Sequence, residues 1–338
     1  MKKAGCAPIL VGVCLVSLLF TLGYGVVDNQ RVVIVGQQVE IQGLPEEFAG
    51  FTILQISDLH GKYFGAAQES LLAKINQADY DMLAITGEMS DGYVLESQPF
   101  WELLDGIQNK EHAFYVGGNT GPWGLETLHG GLTAGILTPD GKELEARGIH
   151  NLDKRNSIQR GESRNWVGDF WLVDLIQLYD VEYSRQKPTD PALSPAQRAF
   201  FQSAVQYSQQ LIADLEKIGP SDTQIGITHN PFSIDSVSDM PKIDPSYDLV
   251  LAGHYHAGQI RLPLIGTIDI PDGASETRGF FPEQDKVSGL RDWGDFQQYV
   301  SRGLGSSSSI NLLNLGLFDT PETNLITLRA GEMNEVGN

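Results

Sequence analysis

Four of the seven histidines stand where short apolar runs meet polar turns. His60 lies in "SDLHG", His229 in "ITHNP", and His254 and His256 in "AGHYHAG". Asp58 precedes His60 by two positions. On extended chain, residues i and i+2 point to the same face. Asp58 with His60 can therefore share one target, as can His254 with His256. Imidazole and carboxylate donors together suit Zn, Mn or Fe better than Mg or Ca. A lone histidine at a strand end is more often a polar terminator than a ligand. Two such pairs with a third strand-end histidine point instead to a metal centre.

Such a centre needs a scaffold that brings distant loops together. From Arg31 onward the chain repeats strand, loop and helix. "RVVIVGQQVEIQ" and "GFTILQIS" read as strands, and "ESLLAKINQADY" carries Leu71, Leu72, Ile75 and Ala78 at helical spacing. "DMLAITGEMSDG" is a short strand closed by a polar loop, and "PFWELLDGIQN" is a helix followed by "FYVGGNTGPWGL". Several β segments are expected over 148–175. A long amphipathic helix is expected from Pro195, with Ser194 as its cap. "TQIGITHNPFS", "YDLVLAGHYHAGQIRLP" and "QYVSRGLG" are further apolar runs ending in turns. This alternation predicts an α/β sheet architecture with ligand-binding loops at strand ends. No internal repeat and no domain boundary after Asp28 is visible.

The constellation resembles the calcineurin-like metallophosphoesterases. That family's blocks are D-x-H, GD, GNH followed by an acid, a lone His, and GHxH. Here they run in order as Asp58-Leu59-His60, Gly87-Glu88, Gly118-Asn119-Thr120-Gly121, His229, and Gly253-His254-Tyr255-His256. "LQISDLHG", "HNP", "AGHYHAGQIRLPLIG" and "YVSRGLG" resemble the membrane-anchored branch of the family, and the likeness extends from about Val33 to Arg329. It implies a four-layer α/β/β/α sandwich with two divalent metal ions (Mn, Zn or Fe). Asp58, His60 and His256 would hold one, and Asn119, His229 and His254 the other. Glu88 would stand where the family places a bridging Asp, with Asp91 as a substitute three residues on. Two cations about 3.5–4 Å apart can hold a phosphate and lower the pKa of a shared water.

The first 28 residues carry a different signal. Lys2 and Lys3 precede a span that is apolar from about Ala7 to Val27, and about 20 apolar residues suffice to cross a bilayer. Gly23-Tyr24-Gly25 is a weak imitation of a cleavage site, so an uncleaved single-pass anchor is expected over 1–28, with the metallophosphoesterase domain over 29–338. The positive-inside rule puts the N-terminus in the cytoplasm and the domain outside the cell membrane. The net charge of −20 argues against nucleic acid as a partner, because phosphates would be repelled. Both cysteines, Cys6 and Cys14, lie in the first fifteen residues, leaving no disulfide framework or thiolate site in the rest. No obligate protein partner is inferred. The expected substrate is a phosphodiester, phosphomonoester or pyrophosphate-type compound, lipid-linked or envelope-derived.

The sequence departs from the family pattern at two places. Glu88 replaces the bridging Asp. Thr120 and Gly121 replace the His that protonates the leaving group and the acid that orients it. General acid catalysis is typically worth about 10²–10⁴-fold, so its loss restricts turnover to good leaving groups unless another donor is recruited. His112, His129 and Tyr255 are candidates, and Trp123 is a candidate wall of the substrate pocket. Two readings stay open at this stage. One is a metal-dependent phosphoesterase of reduced activity. The other is a catalytically impaired protein that binds or senses a phosphorylated ligand through the same metals.

Overall fold

The computed structural model describes residues 7–91, 97–127, 133–170, 187–233, 247–258, 261–262, 264–268, 270, 280–294, 296–306 and 318–331. The chain begins with α1 (Ala7–Asp28), then β1 (Val33–Gln42), β2 (Thr52–Ile56), α2 (Glu69–Ile75), β3 (Met82–Thr86), α3 (Gln98–Gly106) and β4 (Ala113–Val116). A small hairpin follows, β5 (Leu125–Thr127) with β6 (Thr133–Leu137), then α4 (Pro139–Ala146), β7 (His150–Asn151), β8 (Asn156–Arg160) and β9 (Ser163–Asp169). The second half holds α5 (Pro195–Leu215), β10 (Thr223–Ile227), β11 (Leu249–Ala252) and the short hairpin β12 (Arg261–Leu262) with β13 (Gly266–Thr267). It closes with β14 (Gly289–Asp292), β15 (Gln297–Val300) and β16 (Glu322–Gly331).

The strands form two six-stranded sheets, ordered β1-β16-β2-β3-β4-β7 and β14-β15-β11-β10-β9-β8. β2, β3, β4 and β7 run parallel, with Leu54 opposite Leu83 and Leu83 opposite Ala113. In the other sheet β9, β10, β11 and β15 run parallel, with antiparallel edges β8 and β14. Parallel strands open their carboxyl-terminal loops on one edge, and ligands gather there.

Period-two alternation explains the layering. In β2, Ile53 faces the other sheet while Leu54 and Ile56 face the helices. Val39, Ile53, Met82, Ala84, Phe114 and Ile326 of the first sheet meet Val167, Ile225, Ile227, Leu249 and Leu251 of the second. On the opposite face of the first sheet, Leu54, Ile56, Leu83 and Tyr115 pack under Leu71, Ile75, Phe100, Leu103 and Leu144 of α2, α3 and α4. Fully burying one such side chain contributes about 1.5–3 kcal/mol, so these two contact layers hold the sandwich together. The outer face of the second sheet carries Phe170, Phe232, Tyr247 and Val250, with Trp293 and Phe296 against them. The result is the mixed α/β sandwich expected from the sequence.

α5 starts where expected. Ser194 accepts from the Gln197 backbone N–H, the Gln197 side chain returns the bond, and Pro195 occupies the first turn. α1 is 22 residues long, about 33 Å at 1.5 Å per residue, and its apolar side chains lie uncovered, with Leu19 68% and Phe20 76% exposed. By length and composition it can cross a bilayer, a property a signal sequence shares.

Candidate metal centre

The two face-to-face sheets bring the carboxyl ends of β2, β3, β4, β10 and β11 together. Gln55, fully buried, spans the junction, donating to Ala252 O at 2.8 Å and Thr86 Oγ1 at 3.1 Å. Immediately beyond these strand ends lie Asp58 and His60 (β2), Glu88 (β3), Asn119 (β4), His229 (β10), and His254 and His256 (β11).

The route by which they converge differs from the sequence expectation. Asp58, His60, Glu88, His254 and His256 have φ of 53°, 50°, 49°, 75° and 48°. They are therefore not extended, and strand alternation does not aim them. Left-handed turns do, at a cost of about 1–3 kcal/mol each for non-glycine residues. Backbone hydrogen bonds between loops hold these turns. Asp58 N donates to Gly87 O, His60 N to Glu88 O, Gly61 N to Met89 O and Gly253 N to His229 O, all at 3.0 Å. Leu304 N donates to Ser57 O at 3.0 Å, fastening the "SRGLG" loop onto the same turn.

The side chains form two groups that share Glu88. Asp58, His60, Glu88 and His256 make one, and Glu88, His229 and His254 the other, with the donor atoms of each within 4.8 Å of one another. Glu88 Oε2 lies 3.1 Å from His60 Nε2, 3.4 Å from His256 Nε2 and 3.7 Å from His229 Nε2. His60 Nε2 and His256 Nε2 are 3.1 Å apart, as are His254 Nδ1 and His229 Nε2. The Asn119 amide lies 3.4 Å from His254 Nδ1. Asp91 belongs to neither group.

Supporting contacts orient these donors. His229 Nδ1 lies 3.0 Å from Thr86 O, so its N–H is directed to that carbonyl and its Nε2 lone pair faces inward. Ser57 donates to Asp58 Oδ2, and the His254 N–H reaches Asp58 Oδ1 at 3.2 Å. Burial and then the neighbouring His229 push His254 down to about 4, so it is a neutral imidazole at neutral pH. Burial raises the Glu88 carboxyl, but hydrogen bonds from His256 and His60 outweigh it and hold the group below the usual carboxylate range.

The donor set fits divalent cations. Asp58 and Glu88 are buried, and among the described residues their ion-pair partners are imidazoles, never Lys or Arg. Buried carboxylates in that setting need positive charge. Imidazole nitrogens facing one another across about 3 Å are satisfied by a shared cation without a special proton arrangement.

The loop that carries Thr120 is built differently. Gly87 and Gly118 let two loops touch: a Cβ on Gly118 would lie 2.4 Å from Glu88 N, and one on Gly87 would lie 2.9 Å from Gly118 Cα. Thr120 Oγ1 donates to Ser90 O at 2.8 Å, and Ser90 N donates to Gly121 O at 2.9 Å. Thr120 thus ties its loop to the Glu88 loop. Trp123, 48% exposed, borders a cavity of about 180 Å³ with Tyr115, Leu125 and Asn151. His112 precedes β4 and sits at the far end of that strand from Asn119. Tyr255 is packed with Ala252, Ala257, Ile270, Val287 and Val300. His129 lies outside the described residues.

Sequence reasoning missed Ser57, the carbonyl of Thr86 and Ser90. A serine directly before a metal-site aspartate is a readable signal, but a carbonyl that orients an imidazole leaves none.

Comparison with known proteins agrees with this geometry. The calcineurin-like phosphoesterase family model matches residues 51–258, more than half of the chain. Phosphodiesterase YaeI of Escherichia coli (strain K12) is 36% identical over 104 residues, which is 30% of this chain and 31% of YaeI. The chain thus aligns with about a third of that relative's length. The uncharacterized metallophosphoesterase YkuE of Bacillus subtilis (strain 168) is 23% identical over 292 residues, covering 85% of this chain and 82% of YkuE. The phosphopantetheinyl hydrolase PptH of Mycobacterium tuberculosis superposes with a TM-score of 0.39 at 12% identity, over 75% of this chain and 89% of that one. With the family model running from the strand before Asp58 through His256, the chain belongs to the calcineurin-like phosphoesterase family.

Proposed function

We propose that this protein is a membrane-anchored phosphoesterase with a dinuclear metal centre and no side-chain general acid at the usual position. Residues 1–28 form the cytoplasmic N-terminus and anchor, and 29–338 the extracytoplasmic catalytic domain. Asp58, His60 and His256 would hold one divalent cation, Asn119, His229 and His254 the other, with Glu88 within reach of both. When bound, the cations supply Lewis-acid polarisation of the phosphoryl group and a water nucleophile at neutral pH.

The chain's own residues then divide the remaining work. Asp58 and Glu88 balance the cation charge in a buried site. Thr86 O fixes the proton on His229 Nδ1 and keeps Nε2 free. Thr120 holds its proton on Ser90 O and delivers none to the leaving oxygen, which departs as an anion or takes a proton from solvent. The observation that carries this reading is the pairing of two converging donor groups with a Thr120 hydroxyl already committed to Ser90.

The test is rate against leaving-group pKa for metal-loaded protein. A steep fall from aryl to alkyl esters is expected. Thr120→His with Gly121→Asp should flatten it by raising the alkyl rate, by at most about 10²–10⁴-fold. The new Asp has limited room, since a Cβ at Gly121 sits 3.3 Å from Trp123 Cε3. A shallow wild-type slope would mean another group donates the proton. No turnover of any ester would favour the binding or sensing reading. A reporter fused after Asn338 tests topology, and cytoplasmic activity alone would overturn it.

The substrate we propose is a lipid-linked or envelope-derived phosphate ester, supported by the uncovered apolar α1 directly preceding the domain.

A further inference from the structure

A second cavity, of about 530 Å³, lies beside the metal centre and is lined by Arg261, Arg302, Leu264, Ile265, Phe318 and Thr320 among others. Its position is fixed on two sides. Toward the metal centre, Arg261 Nη1 donates to Thr267 Oγ1 at 2.8 Å and reaches Ala257 O, the carbonyl after His256, at 3.5 Å. Arg302 precedes Gly303, where a Cβ would lie 2.8 Å from Asp58 Cβ. Toward the anchor, Phe318 meets Tyr24 with ring centroids 5.6 Å apart, and Thr320 Oγ1 donates to Asp28 at 2.8–2.9 Å. Tyr24 precedes Asp28 by four residues, about 6 Å along the helix. The cavity therefore opens level with the last turn of the apolar helix.

The surface around it is amphipathic. Eight large hydrophobic side chains outside α1 are exposed among the described residues, and four of them, Leu264, Ile265, Phe280 and Phe281, belong to this corner. Phe281 N donates to Ile268 O at 2.6 Å, at the base of the β12–β13 hairpin that carries Leu264 fully exposed at its tip. A chain of net charge −20 is repelled by anionic lipid as a whole. Yet Arg261 and Arg302 face this cavity together. Arg302 is neutralised by Asp319 and by Glu322 at 3.5 Å. Arg261 makes no ion pair among the described residues. Burial and then the nearby Arg302 lower its pKa from the ordinary guanidinium value. Asp319 and Glu322 offset part of this lowering from beyond ion-pair distance, and the planar guanidinium matches a phosphate edge. Apolar side chains rimmed by arginine are the composition of a bilayer-surface contact.

We infer that this cavity is a headgroup site, in which Arg261 holds a second anionic group of a lipid-borne phosphate ester while Leu264 and Ile265 enter the apolar edge of the bilayer beside α1. The inference rests on the anchored-phosphoesterase reading and adds where its substrate is held.

Two measurements on the full chain in phosphatidylcholine vesicles test it. In the first, Leu264→Trp is reconstituted with brominated acyl chains. Its tryptophan fluorescence should be quenched beyond that of the wild type. Flotation with vesicles but no added quenching would overturn bilayer entry while leaving the anchor intact. No flotation at all would overturn the anchor, and this inference with it. In the second, Mn²⁺-loaded protein turns over dioctanoylglycerol pyrophosphate and bis(p-nitrophenyl) phosphate, the latter with one anionic group. Arg261→Ala should lower the ratio of the two kcat/KM values by about 10–100-fold, mainly through KM of the lipid, with Arg261→Lys partly restoring it. Equal losses on both substrates would show Arg261 to be structural. If the wild type turns over neither, the activity reading fails, and equilibrium binding of the same lipid decides. About tenfold weaker binding to Arg261→Ala supports the headgroup site, and equal binding overturns it.

Discussion

The Glu88 pocket and the 117–124 loop touch through two glycines, yet they are built on opposite terms. Around Glu88, donor atoms are left facing one another and five residues are held in left-handed turns by backbone bonds from neighbouring loops. In the 117–124 loop, the hydroxyl of Thr120 and the carbonyl of Gly121 are used to bind Ser90. Strain and unsatisfied donors accumulate where a ligand is to be held. Internal satisfaction accompanies a segment that has become scaffold. Under the proposed function, this difference would separate the electrostatic half of phosphoryl transfer, kept around Glu88, from the proton-donating half, lost with Thr120.

The largest effect should come from breaking the first side at its shared point. Glu88→Ala removes a carboxylate that reaches three imidazoles. If Glu88 serves two cations as proposed, their loss would forfeit several kcal/mol of transition-state stabilisation, or roughly 10³-fold in kcat/KM. Metal content by elemental analysis should fall in parallel from close to two ions per chain. Retained metal and rate would mean that Glu88 is an ordinary loop acid and the comparison is misdrawn.

The contact between the regions is the next place to press. In Gly118→Ala the new methyl meets the Glu88 backbone, which cannot give way without moving the carboxylate. A misplacement of about 1 Å can cost 10²-fold, so a rate loss of that order is expected from a protein that remains folded by circular dichroism. A smaller loss comes from Ser57→Ala, which deletes the hydroxyl donating to Asp58. Removing such an orienting partner costs about 10–100-fold in metal affinity, measurable by competition with a chelator. If affinity does not change, the backbone N–H of His254 orients Asp58 unaided.

The sequence made one side of this contrast far more readable than the other. Strand-end placement of His60, His229, His254 and His256 follows from apolar runs closing in polar turns, and Ser194 with Pro195 marks the start of α5. Extended-chain geometry failed for both pairs: Asp58 and His60 share a group through left-handed turns, and His254 and His256 fall in different groups, because positive φ at non-glycine residues carries no local signature. β16 carries no distinguishing sequence signal, although it sits between β1 and β2 in the first sheet. Its alternation is ordinary, and only pairing reveals its place. α4 and the β5–β6 hairpin likewise lack a distinguishing pattern. The bond from Thr120 to Ser90 spans 30 residues, so the sequence showed the missing histidine without showing what its replacement does.

That replacement provides the smallest and sharpest prediction. Thr120→Val keeps the shape of the side chain and deletes its hydroxyl. If Thr120 is scaffold, the cost is one hydrogen bond, about 0.5–1.5 kcal/mol of stability, read as a shift of the denaturant midpoint. The rate on aryl esters should stay within about twofold of wild type, because the leaving group needs no proton and the Gly121 carbonyl still accepts from Ser90. If Thr120 were a concealed proton donor, the same variant would lose about 10²-fold or more, and most on esters with poor leaving groups. The two outcomes differ in which quantity moves: stability alone places Thr120 with the scaffold, whereas a leaving-group-dependent loss of rate moves it to the chemical side of the comparison.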